Sequence, residues 1–405
     1  MSEAVGIDSI AFQTSRYVLD LDSLAAVRCI DPQKFRVGLG QYQMAVAPPS
    51  EDVVTLAAGA ASQVLQHVAV DDIELLLFAT ETGIDESKSA GIYVHRLLGL
   101  PERCRVLELK QACYSATGAL QLALPFLQAH PDKKVLLIAS DIARYGLGMP
   151  GESSQGCGAV AMVLSTQPRI LALSPEYGVV TEDVMDFWRP AYSDSAFVEG
   201  KYSSRLYLSM LERTYRQYAE RSGRQWRDHA AFCYHAPVPR LVEKAHQQLA
   251  RIAGGSNDKD LYLQLSLAYG RRSGNSYTAS IYAGLISLLD QAVHDFSGER
   301  IGFYSYGSGC VAEFFSGIVS KGYQSMLKPS HHAAMLDERI PLTCSEYEDF
   351  YTFAYPRDGS DCELPFHETG PFRLSAIRGH KRIYEPAVHT APAVLTAPAV
   401  LECSA

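Results

Sequence analysis

Short, almost uniformly apolar runs are the feature that most limits what this chain can fold into. IELLLFA at Ile73–Ala79, VLLIA at 135–139 and AVAMVL at 159–164 have no polar face to turn toward water. Strands of that kind belong in a sheet covered on both sides. Further β-prone runs stand at 106–109, 230–234 and 301–306. Between the runs lie helix-period stretches at 52–67, 87–98, Ser115–Ala129, 203–221, 240–252 and 277–294. The alternation predicts α/β layers, with sheets covered by helices. A chain of 405 residues exceeds what one hydrophobic core serves, so two cores or a duplicated fold follow. An internal echo points to duplication: LLLFATETG is answered by AAFCYHAP, and KVLLIASDIARYGLG by IGFYSYGSGC. The expected organisation is two related halves, 1–168 and 169–390, and a loose tail, APAVLTAPAVLECSA, at 391–405.

Composition narrows the function. Apolar types make up 47% of the residues, which excludes disorder as the main state. The net charge of −9 argues against a nucleic-acid binder, which needs a basic footprint. No apolar run is long enough to span a bilayer, and the start, MSEAVGIDSIAFQTSRYVLD, has no basic leader. The expectation is a cytoplasmic protein without a membrane segment. Nine cysteines are scattered with no C-x-x-C pair, which suggests neither a zinc site nor a disulfide framework. No metal is expected.

Three residues sit where chemistry is usually placed. Cys113 lies between the run RVLELK and the long stretch beginning at Ser115. The amide dipoles of a helix start there would lower the thiol's pKa and favour thiolate. A buried structural cysteine is the competing reading. Glu81 follows an apolar run in ATETG, where partial burial would fit a carboxyl for proton transfer. His235 follows another run in CYHAP, and a neutral imidazole there could donate to a carbonyl oxygen or shuttle a proton. Asn275, ahead of a helix in RRSGNSYTAS, is open to two readings, a helix cap or an amide donor for an oxyanion. Ser308 lies in YSYGSGC, whose glycines let backbone amides approach a ligand. Neither a P-loop nor G-x-S-x-G is present. A cysteine nucleophile, a carboxylate, a histidine and an amide together suit acyl transfer with carbon–carbon bond formation.

At this point the sequence resembles the hydroxymethylglutaryl-CoA synthases of the thiolase superfamily, in their compact bacterial form. The likeness runs through VGIDSIAF, IDPQKFRVGLGQYQMAVAPPSEDVVTLAA, TETGIDESKSAG, QACYSATGAL, ASDIARYGLG, QGCGAVAMVLS, DFWRP, YHAPVPRLVEKA, SGNSYTASIYAGLISLL, YSYGSGC and HKRIYE. It implies a thiolase-like, duplicated αβαβα layered fold and a homodimer. It implies condensation of an acetyl thioester with an acetoacetyl thioester, followed by hydrolysis. Cys113 would become acetylated, Glu81 would remove a methyl proton, and His235 would orient and polarise the second thioester. Substrate contacts would fall on Asn275, Ser308, Ser154, Ser203, Asp31 and Pro32. Contacts to CoA would fall on Arg240 and Lys244, four residues apart on one helix face. The acyl-CoA thioesters enter as substrates, and no cofactor is implied.

Departures from the family pattern bear on the carrier of the acyl groups. Gly148 stands where bacterial members often carry asparagine, Ser154 replaces threonine, Arg240 replaces lysine, and DFWRP continues as AYSDSAFVEG. They leave open a polyketide β-branching relative that works on chains held by acyl carrier protein. A non-catalytic, carrier-binding scaffold of the same fold would be expected to lack Cys113, Glu81 or His235, and all three are present.

Overall fold

A computed structural model describes residues 4–193 and 195–387. The predicted tail at 391–405 lies outside the described residues. Ten strands form one mixed sheet: β1 (Gly6–Gln13), β2 (Ile73–Ala79), β3 (Arg105–Leu109), β4 (Lys134–Ala143), β5 (Gly156–Ser165), β6 (Leu171–Leu173), β7 (Gly178–Thr181), β8 (Ala231–Tyr234), β9 (Arg300–Gly307) and β10 (Val311–Val319). Their order is β8-β9-β10-β6-β1-β5-β4-β2-β3, with β7 laid against β10. The run β2-β4-β5-β1 on one flank is matched by β8-β9-β10-β6 on the other. Parallel pairs occur at β2 with β3, β2 with β4, and β8 with β9. The flanks meet at a narrow seam, where β1 and β6 share the pairs Gly6↔Ala172 and Ile7↔Leu171. A Cβ on Gly6 would stand 1.9 Å from the Leu171 carbonyl oxygen, so the seam needs glycine there.

Helices cover both faces of each flank. Between the flanks lie α3 (Ser115–Ala129) and α6 (Ser280–Gln291), whose small and aliphatic side chains pack with Leu77, Leu137, Cys233 and Phe303 in one core. Outside the first flank, α1 (Val53–Val64) and α2 (Ala90–Leu97) pack on Leu76, Phe78, Leu136 and Ile138. Outside the second, α4 (Gly200–Ser222) and α5 (Pro239–Ala253) pack on Phe232, Tyr234, Tyr304 and Phe314. The layers therefore run helix, sheet, helix, sheet, helix, as expected. Strand residues alternate between two cores because both sheet faces are covered. The ends of the helices follow local chemistry. Asp52 and Thr55 close a capping box on α1, Pro239 opens α5, and Gly223 and Gly254 end α4 and α5 at positive φ.

Each predicted run and stretch is found, with ends shifted by a few residues. Two stretches divide: 277–294 into a tight 3-10 turn, Tyr277–Ala279, and α6, and 52–67 into α1 and a 3-10 turn, Leu65–His67. Strands β1 and β10 were not expected, because Asp8 and Ser9 interrupt one and Glu313, Ser316 and Gly317 the other. A C-terminal antiparallel meander (Cys362–Glu363, Phe372–Arg378 and Lys381–Pro386) was also not expected, since its charged residues hide the alternation. Among the described residues, no helix is long and apolar enough to cross a membrane, and no acid, histidine and cysteine cluster could hold a metal ion.

Candidate active site

The loop that carries Cys113 is bent before it becomes a helix. Ala112 has φ +43°, a left-handed conformation that side chains other than glycine rarely adopt. The Ser115 hydroxyl closes the bend, accepting from the Gln111 N–H (2.7 Å) and donating to the Ala112 carbonyl (2.7 Å). Cys113 is buried at 6% exposure, and its Sγ donates to Glu81 Oε1 at 3.1 Å. Burial pushes the thiol's pKa well up, and the charge and hydrogen bond of Glu81 push it further, with Asp141 and Asp186 adding. This reverses the sequence expectation of a lowered pKa. A helix start provides partial charges, whereas burial acts first, the Glu81 carboxyl bonds the sulfur, and Asp141 and Asp186 add their charge, so the resting group is a protonated thiol.

Glu81 is placed by an acid that the sequence reading passed over. Asp141, fully buried in β4, accepts at Oδ1 from the Thr80 hydroxyl (2.8 Å), the Glu81 N–H (2.9 Å), the Thr82 N–H (3.1 Å) and the Thr82 hydroxyl (2.7 Å). Burial raises the pKa of Glu81, the Asp141 charge raises it further, and the Cys113 bond and Arg189 oppose them. Arg189 also donates to the Glu81 carbonyl (3.1 Å). The signal for Asp141 was in the text: it is the one charged residue of KVLLIASDIA after its first position.

His235 follows β8 at 2% exposure. Its Nδ1 lies 2.8 Å from the Ser280 hydroxyl, which also accepts from the Ala236 N–H (3.1 Å). Burial pushes its pKa down to about 3, so the imidazole is neutral, as expected. Tyr277 lies between this group and the thiol. Its backbone opposes the burial effect on the imidazole, and its side chain packs with Cys113 and Ala143. Tyr145, Phe187 and Tyr277 form a wall around the thiol, with ring centroids 5.9 to 6.1 Å apart. Asn275 holds that wall: its Oδ1 accepts from the Tyr277 N–H (2.8 Å) and its Nδ2 donates to the Tyr145 hydroxyl (3.0 Å). Asn275 itself stands one residue before the Ser276 cap of the 3-10 turn, and its amide oxygen closes the bend that leads into it.

Asp186, the first residue of DFWRP, is a second acid that the sequence reading missed. It is fully buried and accepts from the Ser203 hydroxyl (3.0 Å), the Tyr306 hydroxyl (2.6 Å) and the Gly309 N–H (2.9 Å). Ser203 and the turn carrying Ser308 therefore meet at one carboxylate. The Ser308 carbonyl accepts from Gln111 Nε2 (3.2 Å), which joins that turn to the loop of Cys113.

The other expected contacts lie farther out. The Ser154 hydroxyl donates to the Gly151 carbonyl (2.8 Å) and closes its own turn. Asp31 and Pro32 are exposed, and Asp31 accepts from the Gln33 N–H (3.0 Å) at the start of a short helix. Neither forms a hydrogen bond with Cys113, Glu81 or His235 among the described residues. The segment they begin reaches α5, where the Arg240 N–H donates to the Leu39 carbonyl (2.9 Å). Arg240 is not a free cation: it pairs with Glu243 at 2.7 Å, and Glu243 also pairs with Arg271 at 2.8 Å. Lys244 is exposed and forms no ion pair among the described residues.

Two family models match the chain, Hydroxymethylglutaryl-coenzyme A synthase N terminal over residues 1–168 and C terminal over residues 249–353. The chain is 42% identical over 384 residues to hydroxymethylglutaryl-CoA synthase of Enterococcus faecalis, covering 94% of this chain and 99% of that one. It is 35% identical over 369 residues to the polyketide biosynthesis 3-hydroxy-3-methylglutaryl-ACP synthase PksG of Bacillus subtilis, covering 85% and 87%. It superposes on a crystal structure of HMG-CoA synthase complexed with CoA with a TM-score of 0.91 and 41% identity, covering 95% and 100%.

Proposed function

The chain belongs to the hydroxymethylglutaryl-CoA synthase family, and from that premise we propose how its residues divide the reaction. The enzyme is an acyltransferase that condenses acetyl-CoA with acetoacetyl-CoA to 3-hydroxy-3-methylglutaryl-CoA. In the first half-reaction Cys113 Sγ attacks the acetyl carbonyl, the thioester bond to CoA breaks, and the thiol proton ends on the departing CoA sulfur. Glu81, 3.1 Å from Sγ, is in reach to relay that proton. In the second, the Glu81 carboxylate takes a proton from the acetyl methyl group. The resulting carbanion attacks the ketone carbon of acetoacetyl-CoA. His235 is neutral and held at Nδ1 by Ser280, which leaves Nε2 to donate to that ketone oxygen. Water then hydrolyses the Cys113 thioester and restores the thiol. Lys244 and Arg240, exposed on the first turns of α5, suit the phosphates of CoA.

One observation carries this reading. A buried thiol and a half-buried carboxyl of raised pKa are in contact inside an aromatic wall, and Tyr277 of that wall stands next to a neutral histidine. The test is product analysis by mass spectrometry with acetyl-CoA and acetoacetyl-CoA. Hydroxymethylglutaryl-CoA and one free CoA per turnover are expected. Product formed only when both acyl groups ride on acyl carrier protein would overturn the free-CoA reading.

A further inference from the structure

Glu313 is a carboxyl in an apolar place. On β10 the residues two and six further on, Phe315 and Val319, face the central core, while Ala312 and Phe314 face the outer one. Strand alternation puts Glu313 on the inward side with Phe315. It is buried at 2% exposure, and among the described residues no cation bonds it. Instead its oxygens accept from two neutral groups of the nucleophile segment, the Tyr114 hydroxyl at Oε2 (2.6 Å) and Gln121 Nε2 at Oε1 (2.6 Å). A leucine would fill the same space without the desolvation cost of a carboxyl. The acid is therefore a poor choice for stability alone, and what it grips gives it a purpose.

Tyr114 directly follows Cys113 and begins the helix: its N–H donates to the Gln111 carbonyl (3.1 Å), and its carbonyl accepts from the Gly118 N–H (3.0 Å). Gln121 stands seven residues on, on the same face two turns away. Ala112, on the other side of the cysteine, is held in its left-handed conformation, which persists only where surroundings over-determine it. The turn between β9 and β10 supplies two more constraints on that bend. Gln111 bonds the Ser308 carbonyl, and Gly307 lies so close that a Cβ would stand 2.6 Å from the Tyr114 nitrogen.

Resting on the reading of Cys113 as the acetylated nucleophile, we infer that Glu313 is a positioning residue of the acyl-transfer step. It fixes the first two turns of α3 through Tyr114 and Gln121, and with them the place of the Cys113 thiol. It acts from the second flank of the sheet on a nucleophile carried by the first, so the two flanks must be assembled for the thiol to be aimed.

The test uses the full chain with Glu313→Gln and Tyr114→Phe, singly and together. Acetyl transfer from acetyl-CoA to the protein is followed in a single turnover by quenched intact-mass measurement, with the KM for acetyl-CoA and the melting temperature alongside. Misplaced reacting groups slow the chemical step more than they weaken binding, so each single variant should lose about tenfold or more in rate at saturating acetyl-CoA. The KM should stay within about twofold, and the double variant should be no slower than the slower single one, because both changes break one contact. A purely structural role would lower the melting temperature and leave the rate of the folded protein unchanged. Rates within about twofold of the parent, or effects that multiply in the double variant, overturn the inference. If Glu313→Gln does not fold, Tyr114→Phe, which removes one oxygen, decides by the same rate criterion. A parent that takes up no acetyl group overturns this inference and the functional reading together. A parent that is acetylated, with variants equally fast, overturns this inference alone.

Discussion

Replacing Glu81 with alanine should separate the two half-reactions. In the resting site Glu81 has two opposed effects on Cys113. It is within proton-transfer reach of the sulfur, and its charge and hydrogen bond are among the main reasons the thiol resists ionising. Truncation removes the relay and that resistance together. It also opens space beside the sulfur, which eases the burial that is the largest cause of the raised pKa. Acetylation should therefore persist within about tenfold of the parent, since a thiolate is nucleophilic without a base. Condensation has no such compensation. The methyl proton of a thioester must be taken by a positioned base, and losing one costs about 10²- to 10⁴-fold, or roughly 3 to 5 kcal/mol. The assay adds acetyl-CoA in single turnover and weighs the acetyl-enzyme, then adds acetoacetyl-CoA and follows product. Stoichiometric acetylation with product formation slowed by at least about a hundredfold is expected. Full turnover would refute Glu81 as the base, and a variant that cannot be acetylated would refute the account of the thiol's pKa.

Further outcomes follow from the same geometry. Asp141→Asn should lower the pKa of Glu81, because a raising charge is removed, and should slow condensation about tenfold or more as four bonds to a carboxylate become bonds to an amide. The acid limb of the condensation profile should move to lower pH, and an unmoved limb would count against the electrostatic role. Lys244→Ala should raise the KM for acetyl-CoA by more than Arg240→Ala does, since Glu243 already occupies Arg240. A double variant with the parent's KM would remove α5 from the binding surface. Glu51 is buried at 3% exposure, and burial raises its pKa from 4.5 to about 7. Its protonated form is favoured by folding, so its contribution is complete below pH 4.5 and is lost as pH rises through about 7, to the extent of roughly 3 kcal/mol. Glu51→Gln lacks that dependence, and the parent should lose its relative advantage between those limits in urea unfolding. A constant difference between the two proteins would show that Glu51 does not titrate there.

What the sequence made legible and what it hid divide along one physical line. The apolar runs and helix-period stretches are local patterns, and the layers follow from them. Cys113, Glu81 and His235 were legible because each stands where a run ends. Their partners were not, because the partner lies elsewhere in the chain: Asp141 receives a loop 60 residues earlier, and Ser280 stands 45 residues after His235. The thiol's pKa was misjudged for that reason. A helix start is visible in local text, whereas the approach of Glu81 across 32 residues is not. Arg240 is different, because Glu243 is only three residues on and the i,i+3 pairing was in plain view. Glu313 hid β10 by breaking its apolar run, and the break marks the residue that reaches across to the nucleophile helix.

On the mechanism proposed above, the electrostatics of the site suit the second half-reaction better than the first. Glu81, Asp141 and Asp186 all raise the cost of a negative sulfur at Cys113. That would be a poor design for a nucleophile that had to stay ionised between turnovers. An acetylated sulfur carries no charge, so the same carboxyls no longer penalise it once the acyl group has arrived. The field then acts on Glu81 alone. Burial and the Asp141 charge, which raise its pKa, make its carboxylate a stronger base toward a weakly acidic methyl proton. Acylation also removes the Sγ–H bond that had been holding the Glu81 pKa down. The loss of that bond raises the basicity of Glu81 at the moment the base is needed. On that mechanism the acetyl group prepares its own deprotonation: its arrival keeps the sulfur uncharged, releases the carboxylate from its thiol donor, and leaves the neutral His235 to meet the second substrate.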